Sequence, residues 1–304
     1  MSARRRATSA AALTLAMMLT SMPSASAHAG GLSPTGVRSV VLAVSPSVPG
    51  LTVTAIEDGA RLLVRNDTAV PIEFPAGDGQ SDGTAVRAGE SRVWIDRRAT
   101  SLGRDLGSET TVPWVIPMVV GTQVATVTGE FVAEAPPASI GWWAATVAIG
   151  VAVVGLARRA RRPNVVLAAA GLVTVVASVV HVVGATLAVE SAPPWRTFLD
   201  AVGIGLLVWP LVVAAAAAAM RDKAAGVLGV CTGAGLSVVF VLPDVTEFHY
   251  GVVPFAGPVE LSRILVALVL GVGSGTAIAG AGALRALATR QQTHRAEPGW
   301  EIPS

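Results

Sequence analysis

Between Ile140 and Leu284 the chain carries five apolar runs, each long enough to cross a bilayer. A soluble domain cannot cover five such runs, so this half reads as helices embedded in lipid. The expected spans are about 140–157, 164–189, 198–220, 224–242 and 260–284. The composition agrees. Only 14% of the residues are charged, where soluble domains carry about a quarter.

Charge orients the spans. One set of loop ends carries Arg158, Arg159, Arg161, Arg162, Arg221 and Lys223, followed by Arg285, Arg290 and Arg295. The opposite ends carry Glu190, Asp200, Asp244, Glu247 and Glu260, with Arg196 and Arg263 as the only bases. The positive-inside rule places the first set, and a tail over 285–304, in the cytoplasm. The N-terminal part is then extracytoplasmic.

Residues 1–27 point the same way. Arg4, Arg5 and Arg6 precede an apolar core from Ala10 to Leu19, and Ala25-Ser26-Ala27 is an A-x-A cleavage site. This is the pattern of a signal peptide; the competing expectation is an uncleaved first helix. Without those three arginines the basic residues fall from 22 to 19, against 20 acidic ones. No basic patch for nucleic acid remains. No G-x-x-x-x-G-K-[ST] loop occurs, which argues against ATP as a partner. Cys231 is the only cysteine, so an intrachain disulfide and a thiolate-cluster metal site are both excluded.

Residues 28–134 alternate with period two and turn often. Leu51–Ile56 and Ala60–Val64 flank Glu57-Asp58-Gly59 as one hairpin. Val115–Val120 and Gln123–Val132 flank Gly121-Thr122 as another. Val93–Ile95 is a further strand. The stretch from Ala76 to Gly83 is a loop, in which Asp78 and Asp82 lack the full calcium-binding pattern. Six or seven short strands predict an extracytoplasmic all-β, sandwich-like domain over 28–134. A linker at 135–139 then leads to an all-α domain of five transmembrane helices over 140–284. Trp142 and Trp143 are expected at an aromatic belt, Trp209-Pro210 as a kink, and Gly229/Gly233 and Gly271/Gly275 as small-residue packing contacts.

Few residues can carry chemistry. His181 is the only histidine inside a span, on one helical face with Thr174 and Ser178. An ionisable residue at that depth is a functional candidate, and the plain alternative is a histidine that only bonds a neighbouring helix. The loop from Pro243 to Gly251 offers Asp244, Glu247 and His249 as further ligands for zinc or oxidised copper. No defined metal spacing joins them, so the sequence favours a solvated loop with exposed carboxylates. Cleavage after Ala27 would leave His28 with a free amine, a chelating pair suited to copper; an unliganded terminus competes with that reading. Glu260 with Arg263, and Arg196 with Asp200, are spaced as local ion pairs. A serine–histidine–acid set is absent outside the spans, which argues against a hydrolase.

Several tracts carry a likeness: His28-Ala29-Gly30-Gly31-Leu32, Ser45–Leu51, Asn66-Asp67-Thr68, Trp94-x-Asp96-x-Arg98 and the hairpin Ile116–Glu130. Over about a hundred residues they resemble an uncharacterised group of actinobacterial membrane proteins, in which a secreted β-domain precedes a helical membrane domain. In that group histidines flank the aspartate of the W-x-D-x-R tract; here Ile95 and Arg97 stand there. The layout, with His28 and His181, also resembles a fusion of copper-resistance C-type and D-type proteins. The resemblance implies copper as a cofactor or cargo.

The resulting expectation is a non-enzymatic, multi-pass membrane protein of the cell envelope that handles copper or another metal. His181, His249, Asp244, Glu247 and His28 are the candidate ligands. Its partners would be the lipid bilayer and an envelope protein. The alternatives are a membrane-anchored interaction or sensory scaffold, and a redox subunit holding haem between His181 and His249.

Overall fold

The computed structural model describes residues 29–77 and 83–296, with side chains as far as 282 in the last helix. The expected signal segment, His28, Asp78 and Asp82 lie outside the described residues.

Among the described residues, eight strands form two antiparallel sheets. They are β1 (Val37–Ser45), β2 (Leu51–Ile56), β3 (Arg61–Asn66), β4 (Ile72–Phe74), β5 (Thr84–Val86), β6 (Ser91–Trp94), β7 (Thr111–Val120) and β8 (Gln123–Ala133). One sheet has the order β1-β8-β7-β4-β5 and the other β2-β3-β6. Both expected hairpins are present, and Val120 pairs with Gln123 across Gly121-Thr122. The alternation decides which side chains turn inward. Trp114, Ile116 and Met118 of β7 and Ala125, Val127 and Phe131 of β8 meet Leu62 and Val64 of β3 in one apolar core. Trp94 is half-buried and rests on Phe74, ring centroids 5.0 Å apart.

Six helices follow: α1 (Ser139–Arg159), α2 (Pro163–Leu187), α3 (Pro194–Val202), α4 (Gly205–Ala219), α5 (Ala224–Val241) and α6 (Val259–Ala296). Among the described residues, four spans are long and apolar enough to cross a membrane: α1, α2, Ala224–Phe248, and Val259–Gly282 within α6. The bent pair α3 and α4 makes a fifth if it counts as one span. Small residues bring the helices close. A Cβ on Gly271 would lie 2.7 Å from Thr146 O of α1, and one on Gly233 2.1 Å from Val212 of α4.

One expectation changes. The third run is not one helix with a kink at Pro210. It breaks by 65° between Val202 and Gly205. Gly203, at φ +45°, provides the turn, while Pro210 lies inside α4. Trp142 and Trp143 pack on Phe248, stacked at 5.8 Å and edge-on at 5.5 Å respectively. The last span keeps its expected bounds at Val259–Gly282, and its helix continues beyond them. It runs to Ala296, so the expected tail begins as helix.

The β-domain docks on one end of the bundle. Thr35 and Val252 exchange backbone hydrogen bonds of 3.0 and 2.9 Å. Glu57, at the β2–β3 turn, is buried there. Its Oε1 accepts from the backbone N–H groups of Glu190 (3.0 Å) and Ser191 (2.9 Å), while Oε2 pairs with Arg61. Arg61 also donates to Gly30 O at 2.8 Å. A turn chosen only as a hairpin signal thus holds the segment after α2.

Candidate functional site

His181 lies six residues before the end of α2, about 9 Å from that end at the helical rise. It is 4% exposed. α5 ends at Val241, and Leu242-Pro243 starts a tight 3-10 turn, Leu242–Phe248, that folds back over the bundle. This turn carries Asp244 and Glu247 to the imidazole. The distance from His181 Nε2 to Asp244 Oδ2 is 3.1 Å, and to Glu247 Oε1 3.8 Å. The solvated loop expected for these carboxylates does not form: Asp244 is 7% exposed and Glu247 1%. The reason is Phe248, which the two tryptophans of α1 draw inward, taking the preceding turn with it.

α6 completes the cluster. Ser262 Oγ donates to Glu247 Oε2 at 2.6 Å and lies 3.4 Å from His181 Nδ1. Arg263, also buried, donates Nε to Glu247 O (2.9 Å), Nη2 to Tyr250 O (2.7 Å) and Nη1 to Glu260 Oε1 (2.6 Å). The expected Glu260–Arg263 pair therefore forms, and its arginine also pins the turn. Phe255 covers the imidazole, stacked at 6.3 Å. Gly184 makes that possible, since a Cβ there would lie 2.0 Å from the Phe255 ring.

The proton inventory restricts what this cluster can be. If the Ser262 hydroxyl donates to Glu247, it can only accept from Nδ1. Nε2 must then also carry a proton to bond the Asp244 carboxylate. If instead Glu247 is protonated and donates to Ser262, the hydroxyl can donate to Nδ1 and Nε2–H to Asp244. Both arrangements hold one proton more than a neutral imidazole with two carboxylates. Without it, the neutral Nε2–H tautomer still donates to Asp244, but both carboxylates stay charged and the 3.4 Å contact between Nδ1 and Ser262 Oγ has no proton.

The other candidates lie apart. His249 is exposed and is not among the partners of His181. The two imidazole nitrogens of His181 lie 3.1 Å from Asp244 Oδ2 and 3.4 Å from Ser262 Oγ. Ser178 accepts from Trp209 Nε1 at 3.1 Å and so ties α2 to α4, while Thr174 donates to Ala170 O within its own helix. Among the described residues, no group of three or more His, Cys, Asp or Glu side chains is placed to hold a metal ion as it stands. Arg196 and Asp200 are both exposed, and no ion pair joins them.

In the β-domain, the W-x-D-x-R tract is an internal clamp. Asp96 accepts from Arg98 Nε (2.9 Å), Nη2 (2.7 Å) and backbone N–H (3.0 Å). Burial pushes its carboxyl up, but the hydrogen bonds and charge of Arg98 outweigh this and hold it below the usual 3.8. Ile95 and Arg97 are exposed.

Sequence reasoning passed over Glu57, Ser262 and Phe255. The one signal for Ser262 was its place in Glu260-Leu-Ser-Arg263, a polar start to an apolar helix. Compared with known protein families, curated proteins and solved structures, the chain matches none.

Proposed function

We propose that the chain is a non-enzymatic scaffold of the cell envelope that responds to a cation. Its β-domain lies outside the cytoplasm, its helices cross the membrane, and the cluster around His181 is the responsive element. One observation carries this reading: two carboxylates converge on a single buried imidazole nitrogen, which supplies a compensating positive charge only when the ring takes up a proton. The proton is the smallest cation that supplies it. The same turn that carries both carboxylates continues into Val252, which pairs with Thr35 of the β-domain. Gain or loss of the cation therefore acts on the segment on which the β-domain rests.

The test is thermal unfolding of the detergent-purified protein from acid to alkaline pH, for wild type and His181→Gln. Deprotonation leaves the two carboxylates unneutralised, so wild-type stability should fall as the pH becomes alkaline. His181→Gln cannot take up the proton on its side chain, and its alkaline loss should shrink. Superimposable profiles would exclude the reading.

A second reading is transition-metal handling, of the zinc or copper(II) class, which the likeness to copper-resistance layouts also supports. Ligands at metal–nitrogen distances of 2.0–2.1 Å stand about 3.3 Å apart around a tetrahedral ion. The separations of 3.1 and 3.8 Å bracket that value. A divalent ion would replace the proton, and the carboxylates would draw back slightly. Metal analysis after growth with copper and zinc separates the readings: bound metal that His181→Gln loses favours this one.

A further inference from the structure

We propose that the groove between the end of α2 and α3 binds one phospholipid molecule, with an acyl chain in the groove and the phosphate on Arg196. The groove has a volume of about 440 Å³, and its walls include Val183, Thr186 and Leu187 of α2 and Trp195, Phe198 and Leu199 of α3. That volume is within the range of small-molecule sites.

The lining selects the ligand. Every wall residue is apolar except Thr186, whose hydroxyl already donates to Val182 O at 2.7 Å. A polar ligand would find no free donor inside. A hydrocarbon chain loses nothing there, because it exchanges one apolar surrounding for another. The rim is different. The Arg196 guanidinium lies over the Trp195 ring, 5.1 Å from its centroid. Trp195 is itself a wall of the groove, which sets the cation beside the groove mouth. No ion pair to Arg196 forms among the described residues, although Asp200 follows four residues later on the same helix. An apolar slot with an arginine at its lip matches a phosphate carrying acyl chains and matches neither part alone.

The geometry of α3 supports the same occupant. α3 is nine residues long and bends 65° away from α4, beside the end of α2 where the apolar span stops. Trp195 and Leu199 are 60% and 54% exposed. This is the pattern of a helix lying along the bilayer interface, with its aromatic ring at headgroup level and its arginine reaching toward the phosphates. The site is separate from the His181 cluster and does not depend on the function proposed above.

The test is native mass spectrometry of the full-length protein, titrated in mild detergent with three probes. Phosphatidylglycerol carries chains and phosphate, diacylglycerol carries chains only, and glycerol phosphate carries the headgroup only. Wild type should hold one phosphatidylglycerol through detergent removal and should hold the other two weakly. Arg196→Gln should lower phosphatidylglycerol retention about tenfold, as loss of a charge-assisted contact does, and leave diacylglycerol unchanged. Val183→Trp fills the groove from a lipid-facing position and should abolish retention of both lipids. Leu211→Trp, on the lipid-facing side of α4, should retain phosphatidylglycerol like wild type. The proposal is overturned if wild type holds no lipid adduct, if glycerol phosphate binds as well as the lipid, or if Arg196→Gln and Val183→Trp retain phosphatidylglycerol as wild type does. Equal loss in Leu211→Trp would likewise reduce the adduct to general surface lipid.

Discussion

In the β-domain, buried Asp96 finds its counter-charge two residues away, in Arg98. In the helical half, His181 finds Asp244 and Ser262 at sequence separations of 63 and 81. The first pair can form as soon as one turn of chain is in place. The second needs α2, the turn after α5 and the start of α6 brought together. A local clamp stabilises the element that contains it. A long-range cluster depends on the whole assembly, so a change in its charge acts on the assembly as well. This is why the functional reading rests on His181 and not on Asp96, although both sites are buried and ionic.

The largest effect should follow from breaking the long-range cluster. His181→Leu leaves Asp244 and Glu247 facing each other with no imidazole between them. Uncompensated buried charge of this kind costs about 3–5 kcal/mol. Thermal unfolding of the purified protein should show the loss, and adding Glu247→Gln to His181→Leu should recover part of it. If the double variant is no more stable than the single one, charge is not what His181 balances. By comparison, a histidine that only bonds a neighbouring helix would cost about 1 kcal/mol.

A smaller effect should follow in the local clamp. Arg98→Ala strips Asp96 of two charged side-chain hydrogen bonds, and about 2 kcal/mol should be lost. The pH dependence has a defined sign. The Asp96 carboxyl titrates below its usual 3.8 in the folded state. Its contribution is therefore complete above about 3.9, the unfolded value, and is lost as pH falls through the lower folded value. Arg98→Ala should flatten that acid limb. The His181 cluster should behave in the opposite way, with stability lost toward alkaline pH, so the two sites can be separated by direction in a single pH series.

The sequence made some of this legible and not the rest, for identifiable reasons. Hairpin β7–β8 was readable because alternation and Gly121-Thr122 are local features. The apolar runs were readable because a span is defined by its own composition. The break at Gly203 was not, because an average over hydropathy does not register one residue with a positive φ. His181 stood out as the lone histidine in a span. The burial of Asp244 and Glu247 did not, because it depends on Phe248 packing against Trp142 and Trp143, a hundred residues earlier in the chain. Glu57 looked like turn chemistry alone because its partners, the N–H groups of Glu190 and Ser191, belong to backbone whose position no side-chain pattern announces.

The smallest effect tests whether spacing or burial gives the Asp96 clamp its strength. Arg65 and Asp67 are also two residues apart, and their closest N–O distance is also 2.7 Å. Their side chains, however, are 64% and 50% exposed, against 20% for Arg98 and 1% for Asp96. Water screens the exposed pair and solvates either partner left alone, so such pairs contribute about 0–1 kcal/mol. Asp67→Ala should therefore change stability by no more than about 0.5 kcal/mol, and added salt should erase even that. Asp96→Ala, with the same spacing and distance, strands a partly buried guanidinium and should cost several times more. Equal costs for the two variants would show that the close spacing, and not the removal of water, makes the clamp strong. Local and long-range ion pairs would then differ only in their sequence separation.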